Sequence, residues 1–168
     1  MAEIKVEKMS AEAYAPFGRV VGHMPGTPTK QGEGWTCYSP MELVDVTTSM
    51  GIGVVYCDEF PKNISSLERH VSRDEILWTT DKEVLMMVDI PRYLGDPKAR
   101  PNIETAKIFM IPPHTILIIE KGTWHSPAYS VKGSTKYYFM IELKKDYIDQ
   151  DEQPWIPFIN NDTVKIKV

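Results

Sequence analysis

Short strand-like segments that follow one another at close intervals are the feature that most limits the fold of this chain. Seven or more of them recur from Trp35 onward, at spacings of about 8–12 residues. Helix-forming sequence is too scarce for βαβ crossovers, each of which needs a dozen or more residues. The pattern predicts an all-β sandwich or barrel. The clearest predicted strands are 52–56, 64–70, 75–79, 84–88, 105–111, 115–119 and 135–143, after an opening strand at 4–6.

The sequence around these strands predicts one short helix and several loops. Ser10 is an N-cap before helix-forming residues that stop at Pro16, so we expect one or two helical turns. Glycines and prolines predict loops at 22–34 and 93–103. An acidic loop is expected at 149–154. It precedes an apolar closing segment, 155–159, that could pack against the barrel or against a second copy, and the tail 163–168 alternates like a strand.

Length, charge and cysteine content bound the functional class. The 168 residues suit one domain spanning 1–168, and a net charge of −4 with a pI near 5.6 gives no footprint for nucleic acid. No apolar run approaches the roughly 20 residues that span a bilayer, and the first residues lack the apolar core of a signal peptide. Cys37 and Cys57 have no CxxC partner, so we expect reduced thiols and a cytoplasmic location rather than the alternative, a Cys37–Cys57 disulfide.

Two polar clusters interrupt the strand-like sequence about fifty residues apart. The first, 68–75, contains Glu68, His70 and Glu75, and the second, 121–127, contains His125. Glu68 and His70 are two residues apart on a predicted strand and therefore share a face. If 71–74 is a hairpin turn, Glu75 begins the next strand and can face the same interior. A barrel that brings both clusters inside would gather all four side chains around one point.

These four side chains allow two kinds of chemistry. Two carboxylates and two imidazoles are ligands that Mn²⁺, Fe²⁺, Ni²⁺ or Zn²⁺ accepts, and the same groups can form an acid–base site. The alternative is structural: both glutamates could be solvated strand residues paired with Arg69, Arg73 or Lys121, and each histidine could be a packed core residue. The other two histidines, His23 in a loop and His114 in a turn, are expected at the surface.

The clusters resemble the two cupin motifs. Glu68-Arg69-His70-x4-Glu75 is similar to HxH-x(3–4)-E, with glutamate for the first histidine, and Gly122-x-x-His125 matches the core of PxGxxH, with Glu120 where proline is usual. More specifically, the chain resembles the ureidoglycolate lyase family of small cupins. Its 11–18 segment, AEAYAPFG, resembles the family's AEAFAPFG-type opening, 68–70 matches ERH, and 121–127 resembles RGTWHHP. The resemblance covers roughly residues 4–143 and implies a cupin-like double-stranded β-helix, or jelly-roll barrel, with a short N-terminal helix.

The chain also departs from the family pattern. Ser126 stands where the family has a second histidine, and Glu120 where it has a histidine before RG. The family's R-[FY]-H-D-L segment appears as 39–43, with Ser39 and Met41 in place of the arginine and histidine. An arginine in a pocket commonly binds a substrate carboxylate. The resemblance therefore predicts the fold more firmly than the substrate.

The resemblance implies a carbon–nitrogen lyase that splits ureidoglycolate into glyoxylate and urea, in allantoin and purine nitrogen catabolism. On this interpretation Glu75 and His125 are the acid–base pair and Lys121 neutralises the substrate's charge. A divalent metal, if bound, would be held by Glu68, His70, Glu75 and His125. The small-molecule carboxylate substrate would contact Arg69, Trp124 and Tyr138. A homodimer is expected. The alternatives are another cupin enzyme, such as a sugar-acid or keto-acid isomerase, and a non-catalytic barrel that binds a small acid.

Overall fold

The structure is a computed structural model and describes residues 2–21, 27–61, 63–143 and 152–167. In that part of the chain almost every regular element is a strand, with one short helix and one 3₁₀ turn. The elements are β1 (Ala2–Lys8), α1 (Ala11–Tyr14), β2 (Gly18–Val21), β3 (Lys30–Gly32), β4 (Trp35–Cys37), β5 (Ser49–Cys57), β6 (Ser66–His70), β7 (Glu75–Thr79), β8 (Val84–Asp89), β9 (Lys107–Ile111), β10 (Ile116–Ile119), β11 (Trp124–His125), β12 (Tyr129–Ser130), β13 (Thr135–Leu143), β14 (Glu152–Pro157), a 3₁₀ turn (Ile159–Asn161) and β15 (Val164–Lys167).

The strands form two sheets that enclose a core. The larger sheet has the order β14-β6-β11-β8-β9-β1-β15, with β12 also paired to β8, and the smaller has the order β2-β10-β7-β13-β5. All pairs in the smaller sheet are antiparallel. Strands β3 and β4 form a separate hairpin. This curled, nearly all-β arrangement confirms the predicted cupin-like fold.

Strand alternation fills the space between the sheets with apolar side chains. Val84, Met86 and Val88 of β8 meet Leu77 of β7 and Leu117 of β10 in one buried cluster. Intervening residues of the larger sheet point to its other face, where a second buried cluster forms. Strand β8 is therefore buried on both faces along its whole length. The second cluster contains Leu67, Leu85, Met87, Ile108, Trp124 and Phe158.

Most of the predicted elements are present with small changes of boundary. Strands β7 and β13 have the predicted limits, and α1 is a single turn whose Ser10 side chain accepts a hydrogen bond from the Ala13 N–H. The predicted loop at 22–34 is wrong in part, because Lys30–Gly32 pairs with Trp35–Cys37 as a hairpin. The predicted acidic loop is likewise wrong at 152–154, which belong to β14. His23 and residues 149–151 lie outside the described residues.

The closing segment packs against the barrel through Phe158 and, in part, Ile156. Phe158 is fully buried in the second cluster, whereas Trp155 is about half exposed. The tail forms β15 beside β1, as its alternation predicted. Cys37 and Cys57 are free thiols, and His114 lies exposed in a turn. None of the helices in the described ranges has the length and apolar content needed to cross a bilayer.

Candidate metal and acid–base site

Three side chains from the two polar clusters converge between the sheets. Glu75 Oε2 lies 3.0 Å from His70 Nε2 and 3.4 Å from His125 Nε2. The two imidazole rings are tilted, with centroids 5.3 Å apart. Glu68 Oε1 lies 3.9 Å from His125 Nε2, at the more exposed side of the group. The structure thus brings together all four residues of the predicted metal set, and we call His70, Glu75 and His125 the central cluster.

Strand pairing explains why residues so distant in sequence meet. His125 on β11 is the direct antiparallel partner of Glu68 on β6, so their side chains share a face. The turn 71–74 is not the hairpin turn considered from the sequence, because it carries the chain from β6 in the larger sheet to β7 in the smaller one. Glu75 therefore faces His70 from the opposite sheet. The Gly122 N–H donates a hydrogen bond of 2.6 Å to the carbonyl of His70, which joins the two polar clusters through their backbones. Gly122 has a φ of +85°, a conformation that glycine adopts without strain.

The geometry of the central cluster fits a divalent metal ion. Its ligand atoms all lie within 4.8 Å of one another. Two ligands about 2.1 Å from an ion lie about 3.0 Å apart at a right angle and about 3.4 Å apart at a tetrahedral angle, and both spacings occur here. His125 Nδ1–H donates to the carbonyl of Thr123 at 3.0 Å, which leaves Nε2 of the neutral ring as the electron-pair donor. That Nε2 is buried and faces Glu75 Oε2 at 3.4 Å.

Glu75 is held as a carboxylate by its two histidine neighbours. Burial favours the neutral acid, but hydrogen bonds from His125 and His70 and the positive charges of those rings outweigh it. Together they lower the pKa of Glu75 to about 2. The metal-free site therefore keeps a negative charge at its centre throughout the physiological range.

His125 is held as an imidazolium by the same pair. Burial favours the neutral ring, but the hydrogen bond to Glu75 and the charges of Glu75 and Glu68 outweigh it and raise the pKa of His125 to about 9. At neutral pH the metal-free site is consequently an ion pair, with a proton available at His125 and an acceptor at Glu75. This is the arrangement of an acid beside a base.

A charged cavity of about 480 Å³ adjoins the turn that joins β6 to β7. Lys121, the predicted charge-neutralising residue, lies at its rim, and its backbone N–H donates to Asp74 Oδ1. Arg73, two residues before Glu75, also lines the cavity although its side chain is largely buried. Arg19 is opposed by three carboxylates, including Glu120 at 2.8 Å. Lys121 and Arg73 are thus cationic side chains of the cavity that adjoins this turn.

Two of the predicted substrate contacts lie on the opposite face of the larger sheet. Arg69 is fully buried there, with its guanidinium 4.4 Å from the centre of the Trp124 ring and hydrogen-bonded to the carbonyls of Arg92 and Asp96. The period of two along a strand puts Arg69 and Trp124 behind the site, whereas their neighbours His70 and His125 face into it. Their placement does not support a contact with substrate and indicates a structural function.

The third predicted substrate contact, Tyr138, faces outward from the smaller sheet. It stacks on Trp78, with ring centroids 5.5 Å apart. Its neighbour Tyr137 points inward instead and is almost fully buried. Burial, together with the charges of Glu75 and Glu68, raises the pKa of Tyr137. Of these two tyrosines, Tyr137 is therefore the one that faces the interior, one position from the predicted residue.

The sequence interpretation did not identify three residues around the site. Thr123 fixes the ring of His125, Arg73 lines the adjoining cavity, and Tyr14 is a buried phenol whose pKa is raised by burial and by the charge of Glu75. For Arg73 a signal existed, since it lies in the short turn between His70 and Glu75. Thr123 holds His125 through its backbone carbonyl, which residue type does not reveal, and the contacts of Tyr14 form only in the folded chain.

Two of the departures from the family pattern have clear structural partners. The Ser126 Oγ accepts a hydrogen bond from the Met87 N–H at 3.1 Å, in the buried backbone beside His125. Glu120 forms the ion pair with Arg19. Neither residue belongs to the central cluster, so these departures leave its three ligand atoms intact.

A curled β fold with a histidine–glutamate–histidine group between its sheets defines a cupin-like protein. The chain belongs to the ureidoglycolate lyase family, whose profile, described as Ureidoglycolate lyase, matches residues 1–157. A search of curated proteins found no matching sequence.

Proposed function

We propose that this protein is a carbon–nitrogen lyase that cleaves ureidoglycolate, or a closely related ureido derivative of an α-hydroxy acid. The observation that carries the proposal is the position of Glu75 between two histidines, in the interior of a chain that belongs to the ureidoglycolate lyase family. The reaction divides HO–CH(COO⁻)–NH–CO–NH₂ into glyoxylate and urea. The hydroxyl loses a proton, the C–N bond breaks with its electrons going to nitrogen, and that nitrogen gains a proton.

The central cluster supports this chemistry through its ion pair. Glu75, as the carboxylate, would accept the hydroxyl proton, and His125, as the imidazolium, would donate a proton to the departing urea nitrogen. After the bond breaks, Glu75 carries a proton and His125 lacks one. Their facing atoms lie 3.4 Å apart, so transfer from Glu75 to His125 would restore the starting state.

The substrate's carboxylate needs a positive partner. Lys121 and Arg73 line the charged cavity at the turn between β6 and β7 and would supply that charge. The same cavity is also lined by carboxylates, of which Asp74 pairs with Arg19 and Glu142 accepts from the Thr47 and Thr48 N–H groups.

A divalent metal would be held by His70, Glu75 and His125, with Glu68 as a further carboxylate at the edge. When bound, such an ion supplies Lewis acidity that holds the hydroxyl and carboxylate oxygens and lowers the pKa of the hydroxyl. Its identity, among Mn²⁺, Fe²⁺, Ni²⁺ and Zn²⁺, is not fixed by this donor set. Residues used as metal ligands could not act as the acid–base pair, so chelation separates the two uses.

The test is release of glyoxylate and urea in equal amounts from ureidoglycolate, by protein purified without an affinity tag. Turnover should fall by about 10²–10⁴-fold in Glu75→Gln and in His125→Ala. The matched controls are Glu104→Gln and His114→Ala, which make the same chemical changes at exposed positions. Activity that survives chelation assigns the pair to proton transfer. Activity that is lost on chelation and restored by an added ion shows that Glu75 and His125 act as metal ligands. Absence of turnover contradicts the proposal.

A further inference from the structure

Tyr14 carries a hydroxyl group that the fold buries without a hydrogen-bond partner. The residue is fully buried, and its ring packs against Phe17 and Phe109 with centroids 6.0 and 5.7 Å away. Among the residues that the structure describes, nothing hydrogen-bonds to its hydroxyl oxygen. An unsatisfied buried hydroxyl destabilises a protein, and phenylalanine would fill the same space without that cost. Phenylalanine is the residue at this place in the family opening that 11–18 resembles.

The surroundings of Tyr14 connect it to the central cluster. Its backbone carbonyl accepts the Phe17 N–H, and the Phe17 carbonyl accepts both the Glu120 N–H and the Thr123 hydroxyl. Thr123 in turn accepts the hydrogen bond from His125. The single turn of α1 is therefore fixed against the segment that orients His125.

The packing around Tyr14 includes the apolar residues that flank the site. Tyr14 belongs to the same buried cluster as Ile119 and Val88. Ile119 is the strand partner of Glu75, and Val88 is the strand partner of His125. Burial and, to a smaller extent, the charge of Glu75 raise the pKa of Tyr14, so its hydroxyl stays protonated and able to donate.

We propose that Tyr14 contacts the ligand of this site, donating its hydroxyl hydrogen bond to an anionic oxygen of a small acid held at the central cluster. The inference rests on the proposed function for the class of ligand, a short α-hydroxy or α-keto carboxylate. A neutral phenol in an apolar wall is a strong donor to such an oxygen, because no water competes for it. The ligand would supply the partner that the hydroxyl lacks in the free protein.

The test uses Tyr14→Phe and measures its melting temperature and its affinity for glyoxylate. If Tyr14 were purely structural, the substitution would not raise the first while lowering the second. The melting temperature of the ligand-free variant should rise by about 2–6 °C, because an unpaired buried hydroxyl is removed. Affinity for glyoxylate, measured by titration calorimetry, should fall by about 10-fold, which is the loss of one hydrogen bond to a charged group. Higher stability with weaker binding is the expected combination.

Tyr137→Phe is the matched control for stability. Its hydroxyl is also buried but hydrogen-bonds to the backbone at Ala128, so its removal should lower the melting temperature.

Three results would overturn the inference. The first is unchanged glyoxylate affinity in Tyr14→Phe. The second is a lower melting temperature in that variant, which would indicate that a trapped water is the partner of the hydroxyl. The third is no binding of glyoxylate by the unmodified protein. The proposed function fails separately: glyoxylate binding that depends on Tyr14 without ureidoglycolate turnover would leave this inference standing. Full turnover of ureidoglycolate by Tyr14→Phe would overturn the inference about Tyr14 and leave the proposed function standing.

Discussion

His125 lies directly opposite Glu68 across the antiparallel pair of β11 and β6, with Nε2 3.9 Å from Oε1. That pairing places His125, from the second polar cluster, next to the side chains of the first cluster. Without it, His70 and Glu75 would form only a two-residue site at the turn between β6 and β7. The pairing therefore adds the third ligand, and the following predictions test what the assembled group does.

The central cluster should bind one divalent ion per chain. Zn²⁺ or Mn²⁺ titrated into chelator-treated protein should bind with an affinity that falls by at least about 100-fold in Glu75→Gln, because the variant loses the carboxylate between the two rings. Titration calorimetry measures this directly. Glu104→Gln makes the same change on an exposed side chain and should bind as the unmodified protein does. Equal affinity in the two variants would exclude the cluster as the metal site.

Stability of the metal-free protein should depend on pH through the Glu75–His125 pair. The pKa of His125 rises from 6.5 to about 9 on folding, so its contribution is complete below pH 6.5 and is lost as the pH rises through 9. The pKa of Glu75 falls from 4.5 to about 2, so its contribution is complete above pH 4.5 and is lost as the pH falls through 2.

This pair should therefore stabilise the fold most between pH 4.5 and 6.5. Melting temperatures in the presence of a chelator should decrease from pH 6.5 to 9. The decrease should be smaller in Glu75→Gln, where the ion pair is absent. A steeper decrease in the variant would show that other groups determine the pH dependence.

Gly122 should tolerate no side chain. Its φ of +85° is unfavourable for alanine, and a Cβ there would overlap the side chain of Leu94. Gly122→Ala should lower the free energy of unfolding, measured by urea denaturation, by about 1–3 kcal/mol, because the exposed Leu94 side chain can relieve part of the overlap. It should also weaken metal binding, because the Gly122 N–H holds the His70 carbonyl.

Gly133→Ala provides the comparison for that change. Gly133 has a similar φ of +65°, but a Cβ there would have only the end of the Lys82 side chain nearby, at 4.0 Å. Gly133→Ala should lower the free energy of unfolding by about 1 kcal/mol, from backbone strain alone. Equal losses in the two variants would mean that the contact with Leu94 is unimportant.

Arg69 should act as a structural residue. Arg69→Met removes hydrogen bonds to the carbonyls of Arg92 and Asp96 and the contact with Trp124, and should destabilise the protein by about 2–4 kcal/mol. Metal affinity of the folded variant should change little, since the side chain lies behind the sheet. Lys98→Met, at an exposed position, controls for the loss of charge. A stable Arg69→Met variant with impaired substrate binding would restore Arg69 as a substrate contact.

Local patterns in the sequence predicted the site better than its surroundings. The two-residue spacing of Glu68 and His70 fixes a common face, and the structure confirms it. The same alternation could not decide between Tyr137 and Tyr138, because both are aromatic and β13 is apolar on both faces. The inward position of Tyr137 follows from the register of β13 against β7, which depends on contacts across the whole sheet.

Elements with weak local signals were the ones missed. The hairpin of β3 and β4 has glycines at 32 and 34, which read as loop, and its pairing is visible only in the fold. Strand β11 has two residues and exists because β6 and β8 flank it. The homodimer and the roles of Lys121 and the metal stay predictions, since they depend on molecules beyond this single chain.

His70 and Glu75 flank one short turn, whereas His125 lies on a strand some fifty residues further along the chain. In the unfolded chain His70 and Glu75 could bind an ion only weakly, because His125 joins them only when the chain folds. An ion that prefers the complete set must therefore favour the folded chain by the same free energy. Loading the protein with metal should make it harder to melt, even if the ion takes no part in catalysis.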